Sequence, residues 1–86
     1  MIARKITYEG DLNQEAAGLI FDISRKIEIT GEVKKLNNKV ELHLEGDPSM
    51  IKLIEHQVER RLKGQIKNKT VERNPFRFYQ TLTFEL

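Results

Sequence analysis

Residues 27–48 read Ile27-Glu28-Ile29-Thr30-Gly31-Glu32-Val33-Lys34-Lys35-Leu36-Asn37-Asn38-Lys39-Val40-Glu41-Leu42-His43-Leu44-Glu45-Gly46-Asp47-Pro48. Ile27, Ile29, Gly31 and Val33 lie two apart with Glu28, Thr30, Glu32 and Lys34 between them. That is the period of a strand with one face buried. Asn37-Asn38 follows as a turn pair, since Asn tolerates positive φ. Val40, Leu42 and Leu44 then alternate with Lys39, Glu41, His43 and Glu45, so the stretch predicts an antiparallel hairpin. Asp47-Pro48 closes it and opens a helix, Asp47 as N-cap and Pro48 at the first helical position.

Working outward, Ile51, Ile54, Val58 and Leu62 make the buried stripe of that helix, and Gly64 ends it. A Lys- and Asn-rich segment from Ile66 to Arg73 predicts an edge strand, its lysines discouraging further pairing. Asn74-Pro75 breaks it. Phe78, Leu82, Phe84 and Leu86 then alternate with Tyr79, Thr81 and Thr83, which predicts a final strand with Phe78 on the core side. Upstream of the hairpin, Ile2, Arg4, Ile6 and Tyr8 share one face of a first strand. Asp11 or Asn13 caps a helix whose stripe is Ala16, Leu19, Ile20, Ile23 and Ile27. The order is β-α-β-β-α-β. The expected fold is α+β, a ferredoxin-like sandwich with an antiparallel sheet and both helices on one face.

The chain has 86 residues, which predicts a single domain, 1–86, burying roughly 60–65% of its unfolded surface. It has no cysteine, so neither disulfides nor thiolate metal sites enter. No apolar run reaches the ~18 residues of a membrane span, and the first residues lack the apolar core of a signal peptide. A cytoplasmic protein without membrane contact is expected. Thirteen acidic residues stand among 15 basic ones, for a net charge of +2, the balance of a mixed solvated surface.

The element order, with Gly31-Glu32-Val33, Glu45-Gly46-Asp47-Pro48 and the ending from Tyr79 to Leu86, resembles the acylphosphatase family. The resemblance implies a phosphate cradle between the first strand and first helix. In that family glycine-rich backbone holds the phosphate at a helix N-terminus, an Arg clamps its oxygens, and an Asn from the second strand orients the attacking water. By family spacing from Gly31, the Arg position falls on Ala17 and the Asn position on Lys35. Both groups are missing, so no catalytic residue is assigned. The cradle itself reads Gly10-Asp11-Leu12-Asn13-Gln14-Glu15-Ala16, a degenerate anion loop that has lost its inner glycines and gained two carboxylates. Losing one such clamp commonly costs ~10²–10³ in rate.

The sequence therefore leans against an enzyme and predicts an acylphosphatase-like domain without catalysis, acting as a binding module for an unknown protein or a small anionic ligand. The alternatives are a weak or divergent acylphosphatase hydrolysing acyl phosphates, and an RNA-binding ferredoxin-like domain. RNA recognition on such a sheet needs exposed aromatics on the central strands, where the third offers His43 and no Phe or Tyr and the first has Tyr8 alone, so nucleic acid is not an expected partner. His43 and His56 lack ligand spacing and are read as solvated, and neither a metal nor a cofactor is called for. Phe76 and Tyr79 are read as a contact point, or as packing over a sheet edge.

Overall fold

The alternating segments pair as their periods demand. The computed structural model describes residues 1–85. Its elements are β1 (Ile2–Gly10), α1 (Gln14–Arg25), β2 (Thr30–Leu36), β3 (Lys39–Gly46), α2 (Pro48–Arg61), β4 (Ile66–Arg73) and β5 (Leu82–Glu85). They form one five-stranded sheet in the order β4-β1-β3-β2-β5, a ferredoxin-like arrangement with an added edge strand. The β2–β3 hairpin pairs Leu36 with Lys39 across Asn37-Asn38, and Asn37 takes a positive φ of 45°. Ile6, Tyr8, Val33, Val40, Leu42 and Leu44 face α1 and α2 and are buried with Ala17, Ile20, Ile54 and Val58. Asp47 caps α2 through Ser49, with Pro48 in its first turn. Ile27 and Ile29 precede β2 as irregular chain and pack on the core from its rim.

Three expectations are corrected. The sheet is mixed, because β5 runs parallel to β2. The last strand starts at Leu82, and Phe78 lies in the connection before it, 77% exposed with φ 57°. Leu86 lies outside the described residues. His43 is buried, while His56 is exposed as expected.

One geometric fact accounts for all three. β4 and β5 stand at opposite edges of the sheet, four strand spacings or about 19 Å apart. Residues 74–81 have to cover that distance, and eight extended residues reach only ~26–29 Å. The connection therefore runs nearly straight across the sheet end where β4 finishes. Asn74 N–H is bonded to the Ala3 carbonyl on β1 (3.3 Å), and Gly31 N–H on β2 to the Thr81 carbonyl (3.0 Å). Arriving at the end where β2 begins, β5 can only run alongside it in parallel. The crossing chain covers His43 and leaves Phe78 outside.

Candidate functional site

The loop after β1 carries the expected cradle positions, and the backbone donors of Gly10, Asp11 and Leu12 are already engaged. Gly10 N–H goes to the Asn38 carbonyl (3.0 Å), Asp11 N–H to Gln65 (2.9 Å), and Leu12 N–H back to Gly10 (2.8 Å). Asn13, not Asp11, caps α1. Its side chain accepts from Ala16 N–H (2.9 Å) and its carbonyl from Ala17 N–H (3.1 Å). Gly10 is needed here, because its φ is +150° and a Cβ would overlap the Gln65 carbonyl oxygen.

The side chains close the loop further. Leu12, Ala16 and Ala17 all belong to the hydrophobic core, with Ala17 fully buried. The position that resemblance assigns to the clamping Arg thus points into packed apolar space. Lys35 lies half-buried on the helix side of β2, in register with Val40. It has an ammonium where an amide oxygen would orient water. Asp11, Asn13, Gln14 and Glu15 are exposed. Outside the loop, an open groove of about 630 Å³ between α1 and α2 is lined by Glu15, Asp22 and Arg61 among others. An anion there would meet two carboxylates for one guanidinium.

A second polar cluster lies on the sheet face away from the helices and includes Tyr79, one of the two residues expected as a contact point or as packing over a sheet edge. The Glu45 carboxylate, 3% exposed, accepts N–H groups from Arg77 (2.6 Å) and Tyr79 (3.2 Å). These flank Phe78 and converge because Phe78 is left-handed, an arrangement that binds anions. Here the anion is the protein's own. The Asn74 amide donates to His43 Nδ1 (3.4 Å), which selects the tautomer whose Nε2–H donates to Glu41 (3.2 Å). The Tyr79 hydroxyl is buried without a hydrogen-bond partner among the described residues, and burial, with the Glu32 charge adding, pushes its phenol up. Alternation alone marks Glu45 as solvent-facing. Only the covering chain makes it interior.

A third network joins β1, α2 and β4. Fully buried Tyr8 donates its hydroxyl to Glu59 (2.9 Å), and Lys69 bridges Glu55 and Glu59 at 2.6 Å each. Burial, then the Glu59 contact, holds the Tyr8 phenol far above its ordinary range. Among the described residues no group of three or more His, Cys, Asp or Glu side chains could hold a metal ion, and no helix is long and apolar enough to cross a membrane.

No family model matches the chain, and no curated protein matches it in sequence. Its likeness to known proteins is structural. It superimposes on an acylphosphatase from Bacillus subtilis with a TM-score of 0.86, over 98% of this chain and 98% of that one, at 15% identity. The chain has the acylphosphatase fold. An acylphosphatase from Coxiella burnetii matches with a TM-score of 0.84 over 96% of this chain and 90% of that one, at 17% identity. HypF from T. kodakarensis matches at 0.80 and 19% identity over 98% of this chain and 12% of its own. At such identities the likeness establishes the acylphosphatase fold alone, and the loop chemistry is read from this chain's own residues.

Proposed function

We propose that this chain is a single-domain, cytoplasmic binding module built on the acylphosphatase fold, without acylphosphatase catalysis. The observation that carries the reading is the burial of Ala17, at 0% exposure, where the resemblance to acylphosphatases implies a phosphate-clamping guanidinium. The engaged N–H groups of Gly10, Asp11, Leu12 and Ala16 support it, because a donor already bonded has to lose one partner to gain another. Electrostatic positioning is all that this kind of chemistry uses, so its removal leaves no reserve mechanism.

The test is hydrolysis of acetyl phosphate by the purified chain near neutral pH, against a no-protein control. The expected rate is that of the control. A rate well above it, abolished by substitutions at Asn13 or Lys35, would reinstate the acylphosphatase reading.

A further inference from the structure

At the far end of β1 from the loop, the antiparallel register sets Arg4 directly opposite Arg73 on β4. Opposed like charges on a strand pair destabilise it. Among the described residues a carboxylate lies within 4 Å of Arg25, Lys34 and Lys69, at 3.0, 3.2 and 2.6 Å, and of none of the other twelve Lys and Arg side chains, so it is the register that sets Arg4 and Arg73 apart. Arg4 Nη1 donates only to the neighbouring Ala3 carbonyl (2.9 Å). Glu55 shares an adjoining cavity with Arg4 but is held by Lys69 at 2.6 Å.

The two arginines line one cavity of about 320 Å³, and Phe76 forms another of its walls. Phe76 is 42% exposed and stacks on Phe78 with centroids 5.9 Å apart and planes inclined by 25°. The pair is held in place from beneath, since the buried Glu45 carboxylate grips the backbone on both sides of Phe78. A pair of unmatched guanidinium forks beside a supported aromatic face suits an anion attached to a flat ring. The cavity is at the small end for ligand sites, enough for one such unit.

We propose that Arg4, Arg73 and Phe76 form a nucleotide site, the phosphate lying between the two guanidinium groups and the base on the Phe76 ring. The inference names a ligand for the binding module above and rests on that reading. It differs from RNA recognition on the open sheet face, whose central strands present no Phe, Tyr or Trp there among the described residues. Arginine forks take phosphate oxygens in pairs, and a base stacked on an aromatic ring adds affinity with little sequence preference.

The experiment is an amide-shift titration of the full chain with AMP, adenosine, inorganic phosphate and a single-stranded adenylate octamer, at about 50 and 200 mM salt. AMP is expected to shift Arg4, Arg73 and Phe76 amides saturably and to bind at least about tenfold tighter than adenosine or phosphate. Arg73→Gln should weaken AMP about tenfold, and Phe76→Ala about fivefold or more. Both side chains are exposed, so the variants should keep the parent spectrum. An octamer that binds like AMP identifies the free nucleotide as the ligand. Tighter octamer binding with a steep salt dependence identifies a strand. Either supports the site. Two results overturn it: no saturable shift with AMP, or equal affinity for AMP and phosphate unaffected by Phe76→Ala. Hydrolysis is read at a loop about 20 Å away along β1, so either reading can fail without the other.

Discussion

Glu45 holds a charge in the interior at 3% exposure, and two backbone N–H groups take the place of its water. Charged hydrogen bonds of this kind contribute about 1.5–3 kcal/mol each relative to leaving the group unpaired. Glu45→Gln keeps the volume but offers one acceptor oxygen and places an NH₂ against a donor. It should cost about 2 kcal/mol in urea denaturation and speed amide exchange at Arg77 and Tyr79. Unchanged stability with unchanged exchange would show that the connection is held by other contacts. Gly31 is the other decisive residue. Its φ is +144°, and a Cβ would overlap the His43 carbonyl oxygen across the β2–β3 pair. Gly31→Ala should lose about 2–3 kcal/mol, with the hairpin amides the first to exchange.

Among the elements, α1 carries the residues on which the proposed lack of catalysis rests. Its N-terminal turn is capped by Asn13 and its inner face is Ala16, Ala17, Ile20 and Ile23, so the helix packs where a cradle would open. Ala17→Arg combined with Lys35→Asn restores both family side chains by type. The guanidinium would then enter core space with no carboxylate on hand, and the double variant should lose about 3 kcal/mol or more with no gain in acyl phosphate hydrolysis. Turnover in that variant would show that the loop backbone is more adaptable than its hydrogen bonds imply. The Tyr8–Glu59–Lys69 network ties α2 to β1 and β4 and has a definite pH signature. Burial works against the Glu59 charge, but the Lys69 and Tyr8 contacts win and hold its carboxyl below the ordinary value. Its stabilisation is present above the unfolded value, near 4.3, and is lost as pH falls through the folded one. Burial likewise opposes the Lys69 ammonium, but the Glu55 and Glu59 contacts raise it. The Tyr8 phenol is raised too. Their contributions are complete below about pH 10 and decline as pH rises beyond it. Thermal melts should be level through the neutral range and fall at both ends. Tyr8→Phe should lower stability by about 1–2 kcal/mol near neutrality and flatten part of the alkaline fall.

For the whole molecule, the connection from β4 to β5 does the most. It covers His43 and Glu45, delivers β5 to the free edge of β2, and lets Phe84 stack on Phe21 of α1 at 5.2 Å. Phe84→Ala should cost about 1–3 kcal/mol and loosen β5 before the rest of the sheet, seen as early amide exchange there. The first four strands and both helices were legible in the sequence because their periods, turn residues and caps act within a few neighbours. Ile2 to Tyr8, the Asn37-Asn38 turn and Asp47-Pro48 are examples. The alternation of Phe78 with Leu82 and Phe84 misled, because a period of two says which residues share a face and not whether the segment is in the sheet. Local pattern by itself determined the elements, their order, the open chemistry of the loop after β1 and the absence of an Arg there. Tertiary structure decided that Ala17 and Leu12 close that loop, that Glu45 is interior, and that Arg4 meets Arg73 beside Phe76. Each of these depends on which distant segment lies against a residue, and only the span of residues 74–81 and the strand register set that.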